Sequence, residues 1–194
     1  MLNQYLNIEG ISDIRDFCLK EGHVFEVEKN DFFFRKGELS RFVGYIKKGA
    51  FRYINYTSAG KLQIVGYSFQ NDFVSDYGTF QNQAQTVVYA QAIDDSIVYA
   101  VTQKEVNQFV DNYKDAHFRS KIAEIFLAEV YDRLMSLYCD TPKERYISLI
   151  EHHPDLLNMV SLKEVASFIG VTPETLSRIR KNVANKFQYK TGLS

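Results

Sequence analysis

Residues 162–181, LKEVASFIGVTPETLSRIRK, carry the most specific chemistry in the chain. Thr172, Thr175, Ser177, Arg178 and Lys181 are hydroxyls and cations at helical spacing, the groups that meet phosphate oxygens and base edges. Glu174 among them can accept from the amino group of cytosine, and an arginine such as Arg178 can bridge O6 and N7 of guanine. This is the chemistry of reading a DNA groove, and it makes or breaks no covalent bond.

Such groups read a groove only from a rigid support, and the flanking residues predict one. Leu162, Val165, Ala166 and Ile169 recur at the spacing of one helix face, with Ala166 small where a second helix must cross closely. Gly170 can take the left-handed conformation that ends a helix, and Val171 can plug the angle between two helices. Thr172 suits an N-cap, Pro173 the first helical position, and Glu174 the positive end of a helix dipole. In the helix so begun, Leu176 and Ile179 turn inward, which leaves Thr175, Ser177, Arg178, Arg180 and Lys181 outside. The pattern is a helix-turn-helix. The charge agrees: from residue 161 onward Lys163, Arg178, Arg180, Lys181, Lys186 and Lys190 stand against Glu164 and Glu174, a net of +4 in a chain whose total is −1.

Other chemistries lack their residues. Cys18 and Cys139 are far apart, so neither a disulfide framework nor a zinc or iron–sulfur site is expected. The four histidines, His23, His117, His152 and His153, form no His-x-His pair, and metal-dependent catalysis has no constellation to rest on. No catalytic residue, metal or cofactor is expected. A charged-then-apolar leader is not seen, and the apolar stretch from Ile122 to Val130 is interrupted by Glu124 and Glu129, so a cytoplasmic chain without membrane contact is expected.

Upstream, the hydrophobic period changes twice. After a short amphipathic start with Ser12 as N-cap and Ile14, Phe17 and Cys18 on one face, Gly22 ends the helix and the period falls to two. Strands are predicted at His23 to Glu28, Asp31 to Arg35, Phe42 to Lys47, Ala50 to Tyr56, Lys61 to Ser68 and Val87 to Ala92, a sandwich or barrel and not a βαβ fold. From Asp115 to Tyr138 the period lengthens, with Phe118, Ile122, Ile125, Phe126, Val130, Leu134 and Leu137 on a long amphipathic helix. Its apolar face is wider than one neighbour requires, and it either covers the barrel or pairs with a second subunit. Thr141-Pro142 starts a further helix and His153-Pro154 closes it. The whole reads as α+β.

In this order and length the parts resemble the catabolite activator protein and fumarate–nitrate reductase regulator (Crp/Fnr) family of bacterial transcription factors. The resemblance rests on Phe34-Arg35-Lys36-Gly37-Glu38, on Tyr45 to Arg52, and above all on Gly170-Val171-Thr172-Pro173-Glu174-Thr175-Leu176-Ser177-Arg178. It implies a cyclic-nucleotide-binding-like β-roll (jelly roll) at 1–114, a central dimerisation helix at 115–140 and a helix-turn-helix domain at 141–194. It implies a homodimer on double-stranded DNA, with Glu174 and Arg178 at base edges, Thr172, Thr175 and Ser177 at phosphates or bases, and RNA polymerase as a candidate partner. Pro173 stands where the family prototype has a base-reading arginine, so a different half-site is expected. The segment that should hold a cyclic phosphate, residues 71–92, contains no Arg or Lys, and cyclic AMP is not the expected ligand. Tyr67, Asp76, Tyr77, Gln83, Gln85 and Thr86 are candidates to line a pocket for a neutral or cationic small-molecule effector. The alternative is a cyclic-nucleotide-type or small-molecule-binding regulatory module that acts on a protein partner.

Overall fold

The computed structural model describes residues 9–191, with side chains described for 9–183. The chain divides into two compact units, one ending at Val130 and the other beginning at Tyr131.

The first unit is built on strands β1 (His23–Val27), β2 (Phe32–Phe34), β3 (Phe42–Lys48), β4 (Phe51–Tyr56), β5 (Leu62–Ser68), β6 (Phe73–Val74), β7 (Tyr89–Ala92) and β8 (Ser96–Thr102). They form two four-stranded antiparallel sheets in the orders β1-β8-β3-β6 and β2-β7-β4-β5. Ile46, Phe51, Val74, Ala90, Val98 and Ala100, drawn from both sheets, share one buried cluster. β3 and β8 lie so close that a Cβ at Gly44 would collide with Val98, which is why the strand has glycine there. The six expected strands are present within two residues at each end. β8 and β6 were not expected. β8 runs Ile97-Val98-Tyr99-Ala100-Val101 without a charged residue because both its faces are covered, Val98 and Ala100 by the cluster between the sheets and Tyr99 and Val101 by the cluster under the helices.

Helices α1 (Ile11–Glu21), α2 (Tyr77–Gln81) and α3 (Gln103–Asp111), with the start of α4 (Phe118–Cys139), close this unit. Ile14, Cys18, Tyr45, Phe80, Val106 and Phe118 form their common cluster. Gly10, not Ser12, precedes α1, and Ser12 lies inside the helix. Thr102 starts α3 through a capping box with Glu105, whose carboxyl is held below the usual range by the backbone and hydroxyl donors of Thr102. No helix among the described residues is long and apolar enough to cross a membrane.

The second unit comprises the rest of α4, α5 (Pro142–His152), α6 (Leu156–Met159), α7 (Leu162–Phe168) and α8 (Pro173–Thr191). Thr141 and Ser161 repeat the capping box with Glu144 and Glu164, and Pro142 takes the first turn of α5. The turn between α7 and α8 accounts for every carbonyl at the end of α7. Gly170 adopts φ +75°, its N–H donates to Ser167 O at 3.1 Å, and the Val171 N–H donates to Ala166 O at 2.9 Å. That is a Schellman turn, and it leaves the carbonyls of Phe168 and Ile169. Arg133 of α4 donates to Phe168 O while its guanidinium lies 4.0 Å over the Phe168 ring. Arg145 of α5, itself buried, donates to Ile169 O at 2.9 Å and also to Asp140 O at 2.6 Å and Ser136 O at 3.4 Å. Burial and the neighbouring Arg145 push the Arg133 guanidinium down to about 10, which still leaves it charged at neutral pH.

Val165, Ala166 and Ile169 are buried as the spacing predicts, whereas Leu162 is 42% exposed and Phe168 takes its place in the core. Leu162 is the first residue of α7 and precedes the turn that packs, so its position in the apolar stripe does not bury it.

Two measurements probe these features. Replacing Arg145 with Leu orphans buried carbonyls at about 1–3 kcal/mol each, so a loss of at least about 2 kcal/mol is expected in urea unfolding. An unchanged midpoint would mean that water replaces the guanidinium. Burial pushes the Cys18 thiol up to about 12, whereas Cys139 is exposed. A folded-state value raised above the unfolded one makes an acid group lose stability as pH rises between the two. An aromatic disulfide reagent at about pH 8 should therefore label Cys139 quickly and Cys18 only after urea unfolding. Equal rates for both thiols in the native protein would contradict the packing around α1.

Candidate functional site

Two places in the molecule offer chemistry, one in each unit. On α8, Leu176 and Val183 are buried and Ile179 and Arg180 half-buried, which fixes the opposite face outward. Glu174, Ser177, Arg178 and Lys181 lie along that outer face at steps of three and four, all exposed. Thr172 and Pro173 are exposed at the helix start, and Thr175 is half-buried. The Thr172 hydroxyl accepts from the Thr175 N–H at 3.2 Å, the capping geometry expected of it. Arg178 Nη2 reaches Thr175 Oγ1 at 3.4 Å, so its guanidinium lies back along the helix with most of its donors toward solvent. Arg180, expected outside, is instead half-buried on the same side as Ile179. The arrangement is a capped, single-faced array of donors with one carboxylate, and it can meet phosphates and base edges.

The second place is a cavity of about 570 Å³ in the first unit. Its wall is mostly apolar, with Val65, Phe73, Phe80, Val106, Ile122 and Phe126 among its residues. Three expected pocket residues line it: Tyr67, Asp76 and Tyr77. Tyr77 stacks on Phe126 with ring centroids 4.4 Å apart, and burial holds its hydroxyl above the usual phenol range against the opposing pull of Arg119. Asp76 Oδ2 accepts the Val87 N–H at 2.9 Å. Gln83, Gln85 and Thr86 are not on this wall. Gln83 donates to Gln103, Gln85 is exposed opposite Leu39 in an isolated bridge, and Thr86 is buried with its hydroxyl on Arg35 O at 2.6 Å. Ser75, Arg119 and Glu129 are among the wall residues that were not expected. Ser75 carries a buried hydroxyl with no hydrogen-bond partner, and Arg119 of α4 brings a guanidinium. Among the described residues Arg119 is the only Lys or Arg on the wall. It lies outside the 71–92 segment, and only the course of α4 brings it to the roll.

Along α4 the wide apolar face resolves into two. Phe118 and Ile122 are buried and Ile125 and Phe126 half-buried, while Leu127, Val130, Leu134 and Leu137 form an exposed stripe flanked by Tyr131 and Tyr138.

Residues 24–113 match the cyclic nucleotide-binding domain family. The chain is 21% identical over 180 residues to the cAMP-activated global transcriptional regulator CRP of Salmonella typhimurium, covering 86% of this chain and 84% of CRP. In fold it is similar to FixK2 from Bradyrhizobium japonicum, with a TM-score of 0.71, 19% identity and 85% of each chain covered. A Eubacterium rectale protein assigned to the crp/fnr family aligns with a TM-score of 0.66 at 12% identity, over 92% of this chain and 88% of its own. With a cyclic nucleotide-binding-type β-roll followed by a helix-turn-helix, this chain is similar in sequence to CRP and in fold to a regulator assigned to the crp/fnr family.

Proposed function

We propose that the protein is a homodimeric, sequence-specific DNA-binding regulator whose β-roll senses a small molecule other than cyclic AMP. The observation that carries the reading is the exposed array Glu174, Ser177, Arg178 and Lys181 on a helix whose opposite face and start are both fixed. In this reading Glu174 and Arg178 contact bases, while Thr172, Thr175, Ser177 and Lys181 contact phosphates or bases and Pro173 sets the helix start. The segment 141–194 is then the DNA-binding domain, 1–114 the effector domain and 115–140 the dimerisation helix.

The dimer reading is supported by the stripe at Leu127, Val130, Leu134 and Leu137, whose three-and-four spacing suits the seam of a two-helix coiled coil. Against cyclic AMP stands the mostly apolar wall, which offers few partners to ribose hydroxyls; residues 71–92 supply no Arg or Lys, so that Arg119 is the one cation on the wall among the described residues. Such a regulator works on the chromosome in the cytoplasm, and RNA polymerase is its candidate partner.

Selection from a random duplex library should enrich a two-fold-symmetric sequence with half-site centres about 34 Å apart. Replacing Arg178 with Ala should weaken the selected site by about 1–3 kcal/mol and relax preference at one position. Fluorescence anisotropy at two salt concentrations checks this, and an equal loss on random DNA would reduce Arg178 to a phosphate contact. Calorimetry with cyclic AMP should show no saturable heat, and micromolar binding would overturn that part of the reading.

A further inference from the structure

We propose that the β-roll cavity takes an amphipathic monocarboxylate, with its apolar or aromatic body against Phe73, Phe80, Val106, Ile122 and Phe126 and its carboxylate on Arg119. This deepens the sensor reading and rests on it.

The volume, about 570 Å³, is that of a site for a small organic molecule, and the wall provides dispersion contacts far more than polar ones. An apolar body therefore gains by leaving water for this space. The charge of the ligand follows from Arg119. Its Nη1 donates to the neutral Gln81 Oε1 at 3.1 Å, and its Nη2 stands 3.6 Å from Asp111 Oδ1, longer than a charge-assisted hydrogen bond. The half-buried guanidinium thus keeps donors in reserve on the wall of a mostly apolar cavity. A carboxylate matches that planar fork in a bidentate way, as a neutral amide or an alcohol does not. A cationic ligand would meet like charge at Arg119. A second negative charge is disfavoured because Asp76 and Glu129 are on the same wall, the Asp76 carboxylate already fixed by Val87 N–H. Ser75, with its buried and unpartnered hydroxyl, leaves room for one further uncharged polar atom on the ligand. The sequence favoured a neutral or cationic ligand because residues 71–92 hold no cation; the cation comes from α4 instead.

The test uses the full chain and two matched pairs of probes, decanoate with decanamide and 4-phenylbutyrate with 4-phenylbutanamide, titrated by calorimetry. At least one acid should bind about tenfold or more tightly than its amide. Arg119→Gln should erase that preference, with acid affinity falling to that of the amide, and Arg119→Lys should restore part of it. Equal binding of acid and amide, or a preference that survives Arg119→Gln, would overturn the proposal. So would the absence of heat from every probe, and in that case DNA binding measured without ligand still stands or falls separately. Carboxylate binding that leaves DNA affinity unchanged would keep the ligand class and overturn the sensor reading instead.

Discussion

The end of α7 carries the constraint on which the helix-turn-helix depends: a helix that stops inside a packed unit must find partners for its last four carbonyls. Here a Schellman turn satisfies Ala166 and Ser167, and two arginines from neighbouring helices satisfy Phe168 and Ile169. Backbone geometry at Gly170 and side-chain chemistry at Arg133 and Arg145 thus act on one point. Because α4 and α5 grip the carbonyls of the turn itself, the direction in which α8 leaves is set by groups outside both helices of the motif. Burying a guanidinium and setting a second one near it are both costly, as the lowered value of Arg133 reflects, and carbonyl dipoles with the Phe168 ring offset that cost.

The β-roll faces an opposite demand. Its two sheets share a dense cluster, with glycine at 44 and alanines at 90, 92 and 100 where strands and sheets approach. The second cluster, under α1, α3 and α4, borders an apolar cavity. Unfilled apolar space forfeits dispersion contacts that a packed interior would make. A domain that keeps such a cavity, with a guanidinium and an unpartnered hydroxyl on its wall, gains stability from whatever fills it. That makes the unit responsive to a ligand by simple mass action.

Features encoded within a few consecutive residues were legible in the sequence. Thr141-Pro142 and Thr172-Pro173 start helices, Gly170 ends one, and six strands stand out by period two, because caps, turns and alternation are local. Features settled by tertiary neighbours were not. β8 lacks alternation because both its faces are covered; Leu162 follows the helical period yet is exposed because α7 buries mainly its later turn. Arg119, Arg133 and Arg145 all look like surface charges in a sequence, since nothing nearby reveals that a cavity or a carbonyl awaits them. On α8 the outer face was legible almost completely, Arg180 excepted. In the cavity Tyr67, Asp76 and Tyr77 were legible, while its cation lay on another element.

The long helix α4 has a part in each unit. At its start Phe118 and Ile122 are buried in the roll and Arg119 reaches the cavity wall; farther on, Arg133 holds the α7 carbonyl, and Leu127, Val130, Leu134 and Leu137 are exposed. In the first unit a ligand that drew Arg119 from Gln81 and Asp111 would bear on the same turns of α4 that bury Phe118 and Ile122. Filling the cavity would then favour whichever position of those turns the ligand contacts best, and a response of the unit needs no more than two such positions that differ in energy.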